Sequence, residues 1–279
     1  MLPNFLIIGA MKAGTTSLYS YLGVHPEVFM SETKELHYFV AEKNLRRGLG
    51  WYERQFRQAG QAIAVGEAST DYTKYPLFRG VPERIAKLIP GVRLIYVLRN
   101  PLERIRSHYL HDVARGKERR WIGDAVSGNE HYLAPSRYAL QIEEYLEHFP
   151  REQLLLVTSE DLRNDRRATL RRVHDFIGVN SDWSTPDQDR EYNATSQKTV
   201  PSLPFRAARH IPGAARLRLL APRQVVAAER LLGTTKRPVD AESATMSAAL
   251  ERELVAELEP DLARLRSHLD EDFDAWGLL

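Results

Sequence analysis

The chain is predicted to adopt an α/β fold, in which a parallel sheet of about five strands is flanked by helices and followed by a helical C-terminal portion. Runs that are apolar along their whole length alternate with helical patterns, as in parallel sheets covered on both faces. The 279 residues are 43% hydrophobic and 27% charged, which are ordinary values for a globular chain with one main core. We therefore predict a single domain over residues 1–279, with its core at 3–200 and the helical portion at 201–279.

Apolar runs and helical periodicity define the elements in chain order. The predicted strands are residues 5–8, 62–65, 94–98 and 154–157. The predicted helices are residues 16–22, 102–113, 138–149, 168–177 and 250–269. Pro150 ends the third of these helices, and the leucines of the last one recur at the spacing of a helix that packs on the domain.

Composition limits the classes of protein that fit. The absence of cysteine excludes disulfide scaffolds, thiol nucleophiles and Cys-ligated metals, and it favours the reducing cytosol. The apolar run near the amino end is too short for a membrane span and lacks the basic flank of a signal peptide. A net charge of +2 gives no argument for nucleic-acid binding. We expect a cytoplasmic protein without a transmembrane segment and without a nucleic-acid partner.

Residues 206–237 form an Arg-rich segment with eight Lys or Arg side chains and one acid. A solvated basic face, an amphipathic lid, an anionic-acceptor site and a membrane-surface helix all fit this pattern. We favour the solvated face, and the sequence assigns the segment no role.

A loop rich in small residues, 9–17, joins the first predicted strand to the first helix. The backbone N–H groups of such a loop face an anion, and Thr16 and Ser17 add hydroxyl donors. The position of the Walker lysine in nucleoside triphosphatases is occupied by Thr15, whereas the lysine lies inside the loop as Lys12. The sequence therefore predicts a P-loop-like phosphate loop that is not of the ATPase type. The simpler alternative is a tight strand-to-helix connection.

A second anion site is predicted at Arg99 and Ser107. Arg99 follows the third predicted strand, where a kinase or ATPase would place an acid for Mg²⁺. Ser107 lies about two turns along the next helix, so both side chains can reach one anion. The alternative is that Arg99 pairs with a core carboxylate while Ser107 faces solvent. No metal is predicted, because metal-ligand spacing is not found among His108, His111 and His131.

These motifs in combination resemble the sulfotransferases that use 3′-phosphoadenosine 5′-phosphosulfate (PAPS). The chain is most similar to the branch that contains the heparan sulfate N- and 3-O-sulfotransferases and their bacterial homologues. The likeness rests mainly on residues 12–18, 34–39, 99–101 and 106–109. It continues through residues 66–69, 136–138, 155–157 and 176–178, so that residues 3–180 are covered.

The resemblance implies a donor site. The loop would bind the 5′-phosphosulfate, while Arg99 and Ser107 would bind the 3′-phosphate that distinguishes PAPS from ATP. The implied donor-binding residues are Lys12, Ala13, Gly14, Thr15, Thr16, Ser17, Arg99 and Ser107.

Two features depart from the animal enzymes. Those enzymes complete the nucleotide site with a disulfide-closed loop and a Lys-Gly-Arg segment, whereas this chain has no cysteine. Residues 192–198 are the expected substitute, with Lys198 as the donor-binding residue. The polysaccharide enzymes often place a lysine where this chain has Ala68, which argues against a heparan-like acceptor.

Sulfuryl transfer requires a base for the acceptor proton and cations for the charge on the transferring and bridging oxygens. Glu35 is the predicted base, because its segment returns across the carboxyl ends of the strands and because the resemblance indicates the same glutamate. An exposed pair of Glu35 with Lys34 is one alternative, and His37 as the base is another. Lys12 is predicted to contact the bridging oxygen of the leaving nucleotide.

Acceptor contacts are predicted at Glu67 and Tyr72, which lie where α/β folds place ligand contacts, with a structural carboxylate as the alternative for Glu67. Trp51, Trp121 and Tyr132, together with Tyr72, suggest an aromatic-bearing pocket. The predicted function is sulfuryl transfer from PAPS, without a metal, to a hydroxyl in preference to an amine of a small-molecule, glycan or lipid acceptor. A P-loop-like nucleotide kinase and a non-catalytic nucleotide-binding protein remain as alternatives.

Overall fold

A five-stranded parallel sheet lies at the centre of the structure, a computed structural model that describes residues 1–189, 199–200, 237–238, 244–269 and 272–279. Its strands are β1 (Phe5–Gly9), β2 (Val28–Met30), β3 (Ala64–Ala68), β4 (Arg93–Leu98) and β5 (Leu154–Thr158). They lie in the order β2-β3-β1-β4-β5, and all neighbours pair in parallel. Every residue of β1 and β3 is buried, as expected for strands covered on both faces. The predicted parallel α/β fold is confirmed.

The sequence pattern missed β2 and misplaced β3. Strand β2 has only three residues and pairs with β3 alone at the edge of the sheet. Strand β3 was predicted at 62–65 but extends from Ala64 to Ala68, because Gly66 and Glu67 interrupt its apolar run. Gly66 pairs with Phe5 across the strands, and a Cβ at this position would lie 2.2 Å from the phenyl ring. The close approach of Phe5 therefore requires glycine here.

Ten α-helices are present among the described residues. They are α1 (Thr15–Gly23), α2 (Leu49–Arg54), α3 (Val81–Leu88), α4 (Pro101–Arg115), α5 (Ile122–Val126), α6 (Glu130–Leu133), α7 (Tyr138–Leu146), α8 (Ser159–Asn164), α9 (Arg166–Ile177) and α10 (Ala248–Leu265). Five of them, α1, α4, α7, α9 and α10, correspond to the helices predicted from periodicity. A two-residue antiparallel ladder joins β6 (Thr199–Val200) to β7 (Arg237–Pro238). In the described part of the chain, no helix has the length and apolarity needed to cross a membrane.

Helix α10 packs on the domain through a stripe of buried leucines. Leu254, Leu258, Leu262 and Leu265 have no exposed surface. Asp261, on the same helix, accepts hydrogen bonds from the backbone N–H groups of Ala139 and Leu140 at 3.0 and 2.9 Å. Its carboxylate thus caps the amino end of α7, where backbone N–H groups have no partner within the helix. The predicted docking of a C-terminal helix is confirmed, whereas the Arg-rich segment lies almost wholly outside the described residues.

The strand order reverses at β1. From β1 the chain crosses to β2 at one edge of the sheet and returns to β3 beside β1. It then continues to β4 and β5 on the other side of β1. Loops that follow β1 and β4 therefore leave in opposite directions and form a crevice at the carboxyl ends of the strands. Ligands of open α/β sheets bind at this kind of switch point. The phosphate loop follows β1 and Arg99 follows β4, so the topology brings the two predicted anion sites together.

Candidate active site

A cavity of about 920 Å³ opens at this crevice. Most of the predicted site residues line it: Lys12, Gly14, Thr15, Thr16, Ser17, Glu35, His37, Arg99 and Ser107. Of the described residues around the cavity, nine are Lys or Arg and three are Asp or Glu. The wall of the cavity therefore carries an excess of positive charge suited to a ligand with several anionic groups.

The phosphate loop leaves the start of α1 open to an anion. Gly14 precedes the helix in a left-handed conformation (φ 101°), which glycine adopts without strain. Gly14 has no side chain that could cap the first turn of α1, and no residue of that turn is acidic. The helix therefore offers its terminal N–H groups to a ligand in the cavity. Ala13, a predicted donor contact, has no exposed surface and does not line the cavity, and its N–H donates to the carbonyl oxygen of Ala10 at 3.1 Å.

Arg104 supports the phosphate loop from below, a role that the sequence analysis missed. Its side chain is fully buried and donates to the carbonyl oxygens of Met11, at 3.4 Å, and Tyr132. A third bond, of 2.5 Å, runs to Oγ of Ser136. Burial lowers the pKa of Arg104 to about 10, so the guanidinium stays charged at neutral pH. Its partner groups come from two distant parts of the chain, the phosphate loop and residues 132–136, and only the fold brings these together.

Arg99 and Ser107 both line the cavity. The Arg99 guanidinium donates to the carbonyl oxygen of Lys12 at 3.1 Å, which connects the end of β4 to the phosphate loop. Its carboxylate partner, at 3.2 Å, is the exposed Glu103 rather than a core residue. Ser107 is only 4% exposed and faces the cavity from α4. The alternative of a core-paired arginine and a solvated serine is therefore not what the structure contains.

The amino end of α4 sets the position of Ser107 on that helix. Asn100 caps the helix, and its side chain accepts from the N–H groups of Leu102 and Glu103 at 3.0 and 3.2 Å. Pro101 occupies the first helical position, where its missing N–H costs nothing. The local sequence Asn-Pro thus fixes where the helix starts and, through it, where Ser107 lies.

Glu35 lies at the cavity wall in a strained turn. Its φ of 65° is in the left-handed region, which residues with a side chain rarely adopt. The Glu35 carboxylate accepts from the backbone N–H of Thr70 at 2.8 Å and from Nζ of Lys34 at 2.6 Å. Lys34 Nζ is also 3.4 Å from Oγ1 of Thr15, so one ammonium group bridges Glu35 and the phosphate loop. The pair of Glu35 with Lys34 does form, but it lines the cavity instead of the outer surface.

His37 belongs to a charged cluster centred on the buried Asp71. Its Nδ1 lies 3.2 Å from Oδ2 of Asp71 without hydrogen-bond alignment, and its Nε2 lies 3.8 Å from Glu35. Lys43 and Lys74 also pair with Asp71. Although burial opposes ionisation of Asp71, these ammonium groups outweigh it and lower the Asp71 pKa to about 2. Burial lowers the pKa of His37, so its ring is neutral at pH 7 and still able to accept a proton.

Comparison with known proteins identifies the family of this chain. A family model described as "Sulfotransferase domain" matches residues 2–210. The chain belongs to the sulfotransferase domain family. The resemblance stated from the motifs is thereby confirmed for most of the chain.

Similar sulfotransferases come from animals and bacteria. The human bifunctional heparan sulfate N-deacetylase/N-sulfotransferase 2 is 30% identical over 205 residues, an alignment that covers 64% of this chain and 22% of that protein. The mouse heparan sulfate glucosamine 3-O-sulfotransferase 3B1 is 31% identical over 188 residues, covering 64% and 46%. This chain thus spans less than half the length of these curated relatives. A crystal structure of a sulfotransferase from Alicyclobacillus acidocaldarius is 26% identical with a TM-score of 0.72, and 99% of each chain is covered.

Two predicted acceptor contacts of this sulfotransferase domain lie away from the cavity. Glu67 has no exposed surface and Tyr72 is 2% exposed, and neither lines the cavity wall. Glu67 accepts hydrogen bonds from the hydroxyl groups of Ser69, Tyr72 and Tyr52 at 2.6, 2.7 and 2.8 Å. Burial raises its pKa to about 6 although these three donors act in the opposite direction. The substrate role predicted for Glu67 and Tyr72 therefore gives way to the structural alternative.

The expected aromatic pocket does not form among the described residues. Tyr132 and Tyr72 are buried in the core, and Trp51 packs partly buried beneath Arg47, 4.1 Å from the guanidinium carbon to the ring centre. Trp121 is 73% exposed, and it does not line the cavity either. Aromatic residue types near predicted loops did not indicate which rings would be covered by neighbouring segments. The charged residues in the wall of the sulfotransferase cavity are instead mainly basic.

His108, Asp112 and His131 form a cluster in which the potential ligand atoms lie within 4.8 Å of one another. His131 Nε2 lies 2.7 Å from Oδ2 of Asp112, and His108 Nε2 lies 3.7 Å from the same oxygen. However, Arg104 faces Nδ1 of His108 at 3.5 Å as a donor. A neutral ring that accepts at Nδ1 carries its proton on Nε2, the atom that a metal would need. The fold thus brings together three potential ligand atoms that the sequence spacing did not indicate, and Arg104 opposes the His108 tautomer that would bind a metal through Nε2.

Several cavity residues were missed because they follow β5 or lie late in α4. Ser159, Arg163 and Arg166 come from α8 and α9, and Arg115 and Lys117 lie at the end of α4 and just after it. The rule that ligands bind at the carboxyl ends of parallel strands could have indicated Ser159, which directly follows β5. Lys198, the predicted late donor-binding residue, lies outside the described residues.

Proposed function

We propose that this chain transfers the sulfuryl group of PAPS to a hydroxyl, in preference to an amine, of a small-molecule, glycan or lipid acceptor. The observation that supports this most is a shared cavity. The phosphate loop, the Arg99 and Ser107 pair and Glu35 all line it, and Lys34 connects Glu35 to the loop. Membership of the sulfotransferase domain family supports the same reaction.

The donor is proposed to bind with its two anionic ends apart. The N–H groups of residues 14–16 and the hydroxyl groups of Thr16 and Ser17 would hold the 5′-phosphosulfate. Arg99 and Ser107 would hold the 3′-phosphate through charge-assisted hydrogen bonds. The excess of Lys and Arg around the cavity supports a ligand with this many negative groups.

The chemical roles are proposed for Glu35 and Lys12. Glu35 would take the proton of the acceptor as the new bond to sulfur forms, because its carboxylate lies at the cavity wall beside the loop. Lys12, which lines the same cavity in a left-handed backbone conformation, would neutralise charge on the bridging oxygen as the nucleotide leaves. No metal is needed for these steps. His37 is kept as the rival base, since it is neutral at pH 7 and adjacent to Glu35.

The two alternatives, a nucleotide kinase and a non-catalytic nucleotide-binding protein, have less support. A nucleotide kinase would use a Walker lysine and a metal-binding acid, where this chain has Thr15 and Arg99. A non-catalytic binder would have no use for a carboxylate held at the cavity in a strained turn. For the acceptor, the two curated relatives are named for heparan sulfate, which favours a sugar, whereas Ala68 argues against heparan itself. The 3-O-sulfotransferase is named for transfer to a hydroxyl and the N-sulfotransferase for transfer to an amine. A cytoplasmic location, inferred from the absence of cysteine, stays part of this proposal.

A thermal-shift experiment tests the donor. The chain is heated with 3′-phosphoadenosine 5′-phosphate (PAP), with ATP and Mg²⁺, or with AMP, each at equal concentration. A ligand at 100 times its dissociation constant stabilises the folded state by about 2.7 kcal/mol, so the better ligand gives the larger shift in Tm. We expect PAP to give the largest shift. A larger shift with ATP and Mg²⁺ would contradict the proposal. If PAP gives the largest shift, the next experiment is a screen of acceptors with ³⁵S-labelled PAPS.

A further inference from the structure

Glu67 lies at the centre of a buried cluster of hydroxyl groups. Two of these hydroxyl groups contact residues 35–38, which are called the Glu35 segment here. Tyr52, Tyr72 and Ser69 all donate to its carboxylate at 2.6–2.8 Å. An ionised carboxylate only accepts hydrogen bonds, so each of these hydroxyl groups uses its single proton on Glu67. The lone pairs of the hydroxyl oxygens then remain available to accept from other groups.

Two of the hydroxyl groups use these lone pairs on the backbone of the Glu35 segment. The N–H of His37 donates to Oγ of Ser69, and the N–H of Tyr38 donates to the Tyr72 hydroxyl, both at 3.0 Å. Two short relays therefore run from Glu67 to consecutive peptide groups that follow Glu35. The sense of every hydrogen bond in them is set by the carboxylate.

The Glu35 segment needs such support because its backbone is strained. Glu35 and His37 both have positive φ, 65° and 49°, a strained backbone conformation that persists only where the surrounding structure holds it. The segment is anchored upstream by the bond from the Glu35 N–H to the Ala68 carbonyl at 2.8 Å. Downstream of Glu35, the Ser69 and Tyr72 hydroxyl groups provide acceptors for the next peptide groups.

We propose that Glu67 is a positioning residue for the reaction: through the hydroxyl groups of Ser69 and Tyr72 it holds the backbone that aims Glu35 into the cavity. This inference rests on the proposed role of Glu35 as the base. It gives the buried glutamate a function in turnover although it does not touch the cavity. A carboxylate displaced by about 1 Å from its productive position can lose on the order of 100-fold in rate.

The test compares turnover with nucleotide binding in matched variants of the full chain. Glu67→Gln keeps the size of the side chain but places an amide donor against one of its hydroxyl partners. We expect kcat to fall about 10- to 100-fold while the dissociation constant of PAP stays within about twofold. Ser69→Ala and Tyr72→Phe each remove one relay, and we expect each to lower kcat in the same way. These two variants keep the test open if Glu67→Gln does not fold.

Tyr145→Phe is the control for lost stability. Tyr145 is buried and donates to the backbone carbonyl of Tyr72 at 3.1 Å, but within the described part of the chain its hydroxyl does not bond to the Glu35 segment. We expect Tyr145→Phe to lower Tm without changing kcat. A loss of kcat as large as that of Glu67→Gln would mean that destabilisation alone slows turnover, and the inference would fall.

The double variant Glu35→Gln/Glu67→Gln separates this inference from the proposed function. If Glu67 acts through Glu35, adding Glu67→Gln to Glu35→Gln changes kcat by less than about threefold. If the two single losses of kcat instead multiply in the double variant, Glu67 does not act through Glu35. That result would overturn this inference and leave the proposed function standing. An unchanged kcat in Glu67→Gln, beside a large loss in Glu35→Gln, would do the same. Retained turnover in Glu35→Gln would instead remove the proposed base and both claims with it.

Discussion

Arg99 is the residue at which donor specificity can be measured most directly. Arg99→Ala removes a guanidinium from the wall of the cavity that Ser107 also lines. Loss of a charged hydrogen-bond partner costs about 1.5–3 kcal/mol, so we expect PAP to bind about 10- to 150-fold more weakly. AMP has no 3′-phosphate, and its affinity should change by less than about threefold by isothermal titration calorimetry.

Arg106→Ala is the matched control for Arg99→Ala. Arg106 lies on the same helix, and its closest carboxylate is that of Glu103, at 3.8 Å, but Arg106 does not line the cavity. It should leave the affinity for both nucleotides unchanged. Equal losses for PAP and AMP in Arg99→Ala would show that Arg99 supports the loop rather than binding the 3′-phosphate. The control is needed because Arg99 also donates a hydrogen bond to the Lys12 carbonyl oxygen in the loop.

Lys12→Ala tests the proposed contact with the bridging oxygen. Charge on that oxygen grows only as the sulfuryl group leaves, so turnover should fall more than the affinity for PAP. The measurements are kcat at saturating PAPS and the dissociation constant of PAP. Turnover within about twofold of the unaltered chain would remove this role from Lys12.

Glu35→Gln tests the proposed base. Glutamine keeps the size and one acceptor oxygen but cannot take a proton at neutral pH. We expect kcat to fall by about 10²- to 10⁴-fold, the usual contribution of a positioned acid–base group, with PAP binding retained. His37→Asn is the comparison, because His37 is the rival base 3.8 Å away. Loss of turnover only in His37→Asn would transfer the role to the histidine.

The loop between β1 and α1 is the element on which the donor site depends, and its conformation can be perturbed separately from its side chains. Gly14 has φ 101°, and a Cβ there would find room, with its nearest neighbour at 3.7 Å. Gly14→Ala should therefore cost about 1–2 kcal/mol of stability from backbone strain alone. Because Gly14 starts the helix that offers N–H groups to the ligand, we also expect PAP to bind more weakly.

Gly128→Ala provides the control at the element scale. Gly128 also has positive φ, 57°, and a Cβ there would meet no described atom within 4 Å apart from its chain neighbours. It does not line the cavity. Both variants should lose stability in urea unfolding, but only Gly14→Ala should lose affinity for PAP. Equal affinities in the two variants would argue that the loop backbone does not contact the donor.

At the scale of the whole molecule, the buried imidazole of His174 predicts how stability depends on pH. His174 is 1% exposed, its ring packs 4.7 Å from that of His25, and neither of its nitrogens has a hydrogen-bond partner among the described residues. Burial, with a smaller contribution from His25, lowers its pKa from 6.5 to about 4. The unfolded chain therefore binds the proton more tightly, and stability is lost as pH falls from about 6.5 to 4.

His174→Phe should weaken this acid dependence. The shift corresponds to about 3 kcal/mol at full protonation, so the free energy of unfolding should change less between pH 7 and pH 4.5 in the variant. Urea unfolding at both pH values measures the difference. Glu67 acts in the opposite sense, because its raised pKa of about 6 makes its contribution fall as pH rises from 4.5 to 6. An acid dependence as steep as before would show that His174 is not protonated on unfolding.

The sequence by itself determined the parallel α/β fold, the position of the phosphate loop, and the positions of Arg99 and Ser107 beside it. These features depend on local pattern: apolar runs, helical spacing, and small residues between a strand and a helix. Asn100 and Pro101 fix the start of α4 locally, so Ser107 could be placed from the chain alone. Parallel strands then bring their carboxyl ends together wherever the sheet forms, which is why Arg99 and the loop could be paired in advance.

Only the tertiary structure decided which polar groups are buried and what they support. Glu67 has the same local signature as a ligand contact at a strand end, but Tyr52 and Tyr72 cover it from other segments. Arg104 looks like any arginine on an amphipathic helix, yet it is fully buried beneath the phosphate loop. The physical reason is that burial is a property of what packs against a residue. Distant parts of the chain supply that covering, and no local pattern contains it.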